Sequence, residues 1–137
     1  MRSRARRALV LTALSVLPAA ALVACSSQAA SPTGTIAGRA VAGPVCPVET
    51  TPPDPACAPM PVAGAVVVVA MPGGGEVART TTGDDGAFSV AVEAGTYAVS
   101  GEPVEGLMGA PKSPVTVQVE DAATTDEVLL EYDTGIR

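Results

Sequence analysis

The chain has 137 residues, a formal net charge of −6 at pH 7 and very few aromatic residues. All 14 acidic residues follow Cys25 and only four basic residues do, so residues 25–137 carry a formal charge of −10. This acidity excludes a nucleic-acid-binding role, which requires clusters of Lys and Arg. The sequence has no His, so it lacks the commonest general base and metal ligand, and we expect no metal, cofactor or catalytic centre.

The first 25 residues have the layout of an export signal. Four arginines precede an apolar run from Ala8 to Ala24, and small residues stand before Cys25. The run has 17 residues and contains Pro18, whereas a spanning helix needs about 20 apolar residues. A cleaved signal is therefore favoured over an uncleaved anchor. An ordinary secretory signal is the second alternative.

The residues before the cut point to lipid attachment. The segment Leu22-Val23-Ala24-Cys25 resembles the lipobox of bacterial lipoproteins. In that family the cysteine thiol receives a diacylglyceryl group, and the signal peptidase cleaves just before the cysteine. The resemblance implies a signal peptide over residues 1–24 and a mature chain that is lipid-anchored through Cys25 to the outer face of the cell membrane. Residues 25–34 would be the lipidated tether, whose nine residues after Cys25 span roughly 16–18 Å.

Residues 35–137 are predicted to form one β domain, which begins with a strand over 34–41. Residues 44–61 contain seven prolines, a density that predicts a loop. Cys46 and Cys57 lie in this loop. An exported protein folds in an oxidising compartment, and lipid accounts for Cys25, so the remaining pair predicts a disulfide. A metal site would need further Cys or His ligands.

Six more strands are predicted after this loop, over 66–71, 76–82, 87–92, 96–100, 115–119 and 125–133. The first is an apolar run that we expect to be buried on both faces. Residues 83–86, Gly-Asp-Asp-Gly, predict a hairpin turn rather than a calcium site, which would need more oxygen ligands. Alternation places Tyr97 and Val99 inward, and the 83–86 turn aims Phe88 into the core. Phe88, Val90 and Val92 share one face of their strand, and Val128, Leu130 and Tyr132 share one face of the last strand. Seven short strands without a helical period predict an all-β, antiparallel, seven-stranded β-sandwich, immunoglobulin-like or transthyretin-like.

Four segments in this order, 34–41, 61–69, 80–88 and 93–99, resemble the carboxypeptidase regulatory-like domains, also called transthyretin-like or prealbumin-like modules. The resemblance extends over roughly residues 34–132. It implies a surface module without peptidase activity, because such domains accompany catalytic domains or serve as surface modules. Three glycines have physical reasons in this pattern: close approach of a neighbour at Gly38, and turns at Gly64 and Gly86. The loop 44–61 departs from the short first connection of the family.

A non-catalytic binding or structural module of the bacterial envelope is the favoured interpretation. The sequence has no Gly-x-Ser-x-Gly motif, and a Ser–Lys pair would have to use the adjacent Lys112 and Ser113. One alternative is a carbohydrate- or small-ligand-binding module, for which Tyr132 is the aromatic residue that remains available. Another is an inhibitor or partner of an envelope enzyme, acting through the Cys46–Cys57 loop. An envelope protein or a glycan is accordingly the expected partner, besides the membrane.

Overall fold

The computed structural model describes residues 30–111 and 114–137. Within these ranges the chain forms eight strands and one 3-10 turn, Pro55–Cys57. Seven strands correspond to the predicted ones, and β2 is an additional two-residue strand. The strands are β1 Thr33–Gly43, β2 Met60–Pro61, β3 Val66–Ala70, β4 Glu76–Thr81, β5 Ala87–Glu93, β6 Gly95–Gly101, β7 Val115–Val119 and β8 Thr124–Asp133.

Two sheets pack face to face as a β-sandwich, which confirms the predicted fold class. In the first sheet β1 is central, with β8 on one side and β5 and the short β2 on the other. The second sheet has the order β4-β3-β6-β7. All pairings are antiparallel except that of β1 with β8, which is parallel. The first and last strands therefore run in the same direction through the middle and edge of one sheet.

The core between the sheets is built mainly from valine and alanine. Val67, Val69 and Val99 are fully buried, and their stiff β-branched side chains suit a pleated surface. The three aromatic residues of the chain are also buried: Phe88, Tyr97 and Tyr132. Tyr97, Val99 and Phe88 thus lie inside, as predicted. The predicted shared faces of β5 and β8 are the ones that face the core, with Val90 only half-buried. On β3 the outer face is half-buried, so the expectation of full burial on both faces is wrong.

The turn over residues 83–86 has the predicted local geometry but a different role. Gly86 has a φ of +74°, and its N–H donates to the Gly83 carbonyl at 2.9 Å. However, β4 and β5 belong to different sheets, so this turn is a corner between sheets and the predicted hairpin is wrong. The physical reason is that β5 pairs with β1, and an Asp-Gly turn serves a corner as well as a hairpin.

Val128 and Phe88 approach the β1 backbone closely at Gly38, as the sequence predicts. A Cβ atom at this position would collide with the Val128 carbonyl oxygen and lie 2.7 Å from Phe88 Cζ. The register between β1 and β8 also shifts here, between Ile36 and Gly38. A residue without a side chain therefore lets β8 and the Phe88 ring pack directly against the β1 backbone.

Two side chains, Thr82 and Tyr97, make hydrogen bonds that fix the connections between the sheets. The buried Thr82 hydroxyl donates to the Val62 carbonyl at 2.6 Å and accepts the Ala65 N–H at 2.9 Å. The Tyr97 hydroxyl donates to the Glu93 carbonyl, four residues upstream, at 2.8 Å. The second contact has the form of the tyrosine corner that is found in immunoglobulin-like sandwiches.

The sandwich has two unlike ends. At the N-terminal end, where β1 starts, the Pro32 and Thr33 carbonyls accept the N–H groups of Ala94 and Ala122 at 2.8 Å. Short turns close the sheets there. At the other end, which we call the disulfide end, lie the residues 44–59, 102–111 and 134–137. Because β1 has 11 residues, the two ends are about 33 Å apart.

Candidate functional site: the disulfide loop and the adjoining groove

The disulfide loop, residues 44–59, is the longest described connection without a strand. Its sulfur atoms, from Cys46 and Cys57, lie 2.11 Å apart, and the two Cα atoms are separated by 5.3 Å. The structure thus contains the predicted disulfide. The loop begins directly after β1 and ends at β2, whose Met60 and Pro61 pair with Ala42 and Val41. Both ends of the loop are therefore held against the sandwich.

Local hydrogen bonds support the disulfide. The Asp54 carboxylate accepts the Ala56 N–H at 2.8 Å and so caps the 3-10 turn that carries Cys57. The Thr134 hydroxyl donates to the Pro44 carbonyl at 2.5 Å, which ties the C-terminal tail to the start of the loop. No residue of the loop is buried, and the Val48 side chain is 69% exposed. The loop is held in place without a core of its own.

A groove of about 650 Å³ lies beside the loop at the disulfide end. Its walls come from the outer face of β1 and β8, from the loop and from the segment before β7. Leu129 is 48% exposed in it and is the largest exposed apolar side chain of β8. The principal lining residues are Val41, Pro44, Pro59, Pro111, Leu129 and Glu131. The groove therefore combines an apolar floor with an exposed carboxylate.

Two ion-pair networks lie on the surface. Arg79 on β4 pairs with Glu76 at 2.8 Å and with Glu102 at 2.5 Å. The hydrogen bond from Arg79 lowers the pKa of Glu76, and its two carboxylate partners raise the pKa of Arg79. At the disulfide end Arg137 pairs with Asp133 at 2.9 Å, and this contact raises the pKa of Arg137. These cations are thus already engaged by carboxylates.

Tyr132 lies below the groove, on the core side of β8. Its hydroxyl donates to the Glu102 carbonyl at 2.9 Å. Burial, with a smaller contribution from the Glu102 charge, raises the pKa of Tyr132 above its usual value of 10.0. The side chain is 2% exposed, so the prediction that it is available to stack on a sugar is wrong. With Phe88 and Tyr97 also buried, the surface displays no aromatic residue.

The remaining candidate residues fall into two groups. The predicted lipidation site Cys25 and the pair Lys112 and Ser113 lie outside the described residues. Asp84 and Asp85 lie exposed in the 83–86 corner, where the Asp85 carboxylate accepts the Ala87 N–H at 3.0 Å. Within residues 30–111 and 114–137, no three acidic or cysteine side chains cluster closely enough to hold a metal ion. The same ranges contain no helix of sufficient length and apolarity to cross a bilayer.

Sequence reasoning missed the groove and the parallel pairing that forms its floor. The register brings Val41 beside Glu131 and Ala42 beside Tyr132, residues about 90 positions apart in the chain. The one available signal was Leu129, an apolar residue on the outward-facing side of a strand whose alternating pattern was otherwise predicted. A single exposed apolar residue is common on protein surfaces, so Leu129 alone was not enough to predict the groove.

Comparison with known proteins supports the fold. No family model matches this chain, and no curated protein matches its sequence. Among solved structures it is similar to GBS52, the minor pilin of Streptococcus agalactiae, with a TM-score of 0.55 and 17% identity over 75% of this chain. A streptococcal ancillary pilin gives 0.53 and 19% over 78%, and the Bacillus anthracis TIE protein gives 0.54 and 12% over 74%.

These likenesses are restricted to one part of larger proteins. The alignments cover 45% of the minor pilin, 31% of the ancillary pilin and 17% of the TIE protein. At 12–19% identity the agreement concerns the fold alone. The chain is thus an immunoglobulin-like or transthyretin-like β-sandwich, and its function has to be argued from its own residues.

Proposed function

We propose that this protein is a lipid-anchored, non-catalytic β-sandwich that displays its disulfide end away from the bacterial membrane. The observation that carries the proposal is the direction of β1. This strand begins at Thr33, next to the predicted tether, and ends at Gly43, where the disulfide loop begins. A lipid at Cys25 would hold the N-terminal end near the bilayer. The disulfide loop and the groove would then face outward, about 33 Å farther from the tether.

Charge is compatible with a domain that stands off the membrane. Residues 25–137 carry a formal charge of −10, so an anionic lipid surface repels the domain. The lipid and the short tether alone would keep it close to the membrane. Two of the proteins that share this fold are a minor pilin and an ancillary pilin, which is compatible with a module that serves support or binding.

The absence of catalysis is part of the proposal. The chain has no His, and the exposed carboxylates Glu49, Glu105 and Glu131 stand on separate segments. The groove is open to solvent, so nothing in it excludes water from a bound molecule. A shallow, half-apolar surface of this kind suits recognition better than a reaction.

The anchoring is tested by intact-mass analysis of the membrane-bound protein. We expect a chain that starts at Cys25 and carries a diacylglyceryl group, with two hydrogens fewer than the reduced form because of the Cys46–Cys57 disulfide. The Cys25→Ser variant should lack the lipid. A water-soluble product that retains residues 1–24 would contradict the anchoring, and turnover of a substrate by the purified protein would contradict the non-catalytic role.

The orientation needs a separate experiment. A protease-recognition sequence is inserted either between Thr50 and Thr51, in the disulfide loop, or between Gly73 and Gly74, at the N-terminal end. On intact cells that have no outer membrane, we expect the protease to cleave the site in the disulfide loop faster than the site between Gly73 and Gly74. Equal rates on cells, together with equal rates in detergent, would contradict an outward-facing disulfide end.

The disulfide loop supports a second function, recognition of an envelope enzyme or another envelope protein. The disulfide, the Asp54 cap and the Thr134–Pro44 hydrogen bond hold the loop in one conformation, which lowers the entropy cost of binding. Co-purification from membranes would be compared between the wild type and the Cys46→Ser/Cys57→Ser double variant. Loss of a partner while the sandwich stays folded supports this function, and retention of every partner opposes it.

A further inference from the structure

One edge of the first sheet is open beside the groove. β8 pairs with β1 on one side, and no described strand pairs with its other side. An unpaired strand edge presents a row of backbone donors and acceptors to an extended partner. The length of β8, ten residues, is enough for several such hydrogen bonds.

The orientation of the backbone shows which residues face this edge. The Thr134 N–H donates to the Gly43 carbonyl and so points toward β1. The Asp133 carbonyl points the other way, because it accepts the Met108 N–H at 2.8 Å. Neighbouring residues of a strand alternate in this respect, so the backbone groups of Glu131 and Leu129 also face away from β1. Within the described ranges, no backbone hydrogen bond from another loop reaches these two residues.

The surroundings of the edge indicate the chemistry of the occupant. Leu129 and Glu131 have exposed side chains on the outer face of the sheet, and Pro111 and Val115 line the groove beside the strand. A strand added along β8 would place alternate side chains on these two sides. Two alternate residues of the added strand would contact Leu129 and Glu131 on the outer face. The residue between those two would point to the opposite side and contact Pro111 and Val115. An apolar residue flanked by cationic ones fits this pattern.

Charge decides between a second copy and a different partner. Two copies, each with a formal charge of −10 over residues 25–137, repel one another at an edge that itself carries Glu131. A cationic segment is instead attracted to this end, and the aliphatic part of a lysine can cover Leu129. We propose that the β8 edge binds an extended basic segment of another protein as an added strand. This names the partner class for the proposed binding role and rests on that role, without depending on the lipid anchor.

The test uses the full-length protein purified in detergent and a fluorescent nine-residue peptide of alternating lysine and valine. A peptide with glutamate in place of lysine is the charge control. We expect the lysine peptide to bind, and the glutamate peptide to bind at least about tenfold more weakly. Amide exchange measured by NMR should slow at Leu129 and Glu131 when the lysine peptide is present. Failure of the lysine peptide to bind, or unchanged exchange at both amides, overturns the proposal and leaves the anchoring experiment unaffected.

Two substitutions separate strand addition from general attraction. Glu131→Lys should weaken binding about tenfold, whereas Glu49→Lys, the same charge change in the disulfide loop, should change binding by less than about threefold. Glu131→Pro removes an edge N–H that β1 does not use, so it should abolish binding while thermal unfolding shows an intact sandwich. Equal losses in the two lysine variants overturn the proposal. So does a dimer of the peptide-free protein that Glu131→Pro dissociates, since the edge would then join two copies.

Discussion

The disulfide loop and the sandwich that carries it differ in what holds them in place. Each sheet of the sandwich contributes buried side chains, such as Ile36 and Val67, and the sheets share a continuous core. The disulfide loop has no buried residue and relies on one covalent bond, one cap and a hydrogen bond from the tail. The structure of the sandwich is therefore a property of the whole domain, while that of the loop is local. Four variants, with their controls, test this difference.

The largest effect is expected in the sandwich, from Gly38→Ala. The new Cβ would collide with the Val128 carbonyl oxygen, a backbone atom that cannot rotate away as a side chain can. It would also lie too close to the Phe88 ring. Because β1 and β8 would have to separate, we expect a loss of about 3 kcal/mol in the free energy of unfolding, measured by denaturant titration. Gly75→Ala is the control, since its Cβ would meet no atom within 4 Å, and it should change stability by less than about 0.5 kcal/mol. A similar effect of both substitutions would contradict the close packing at Gly38.

The second-largest loss of stability is expected from Thr82→Val, which removes the side-chain hydrogen bonds between Thr82 and the segment before β3. Thr82→Val keeps the shape of the side chain but leaves the Val62 carbonyl and the Ala65 N–H without this partner in a buried place. We expect a loss of about 2 kcal/mol, measured by thermal and chemical unfolding.

Thr125→Val is the matched control for that change. The buried Thr125 hydroxyl finds no hydrogen-bond partner among the described residues, so its removal should be neutral or slightly stabilising. If Thr125→Val destabilised the protein as much as Thr82→Val, hydrogen-bond satisfaction would not explain the role of Thr82.

A smaller effect with a distinctive pH dependence is expected from Tyr132→Phe. Loss of the hydrogen bond to the Glu102 carbonyl should cost about 1 kcal/mol at pH 7. Burial raises the pKa of Tyr132 above 10.0 in the folded protein, so the unfolded chain ionises first as the pH rises. The stability of the wild type should therefore fall from about pH 10 upward, through the raised pKa. Unfolding curves between pH 8 and 11 should show a shallower decline for Tyr132→Phe, and parallel declines would contradict this assignment.

Local features of the fold could be predicted from the sequence. Alternating side chains marked six strands, a continuous apolar run marked β3, and the requirement for a residue without a side chain was correctly placed at Gly38. Positive φ angles occur at the predicted turn positions Gly64 and Gly86. These features depend on a few neighbouring residues, so the sequence pattern contains them. The short strand β2 was missed because proline argues against a strand, although Pro61 lies at an edge where proline is tolerated.

Features that depend on distant residues could not be predicted in the same way. An Asp-Gly turn fixes local angles but not the partner of the following strand, so the sequence predicts a hairpin at 83–86 where the structure has a corner between sheets. The hydroxyl of Tyr132 finds its acceptor at Glu102, 30 residues away, a pairing that no local pattern reveals. The groove needs β1, β8 and the disulfide loop together. The candidate site was thus predicted only in its disulfide.

The smallest expected effect on global stability comes from removing the disulfide. This change tests most directly whether the disulfide loop is stabilised locally and the sandwich as a whole domain. Closing this loop, whose two cysteines are separated by 11 positions in sequence, would contribute roughly 3 kcal/mol if the loop stayed ordered in the folded protein without the bond. Because the loop buries no residue, we expect it to gain freedom in the folded and unfolded states alike. The Cys46→Ser/Cys57→Ser variant should then lose less than about 1 kcal/mol, with faster amide exchange at residues 46–57 and unchanged exchange in β3 and β6. A loss near 3 kcal/mol, together with faster amide exchange in the core strands β3 and β6, would instead show that the loop and the sandwich form one cooperative unit.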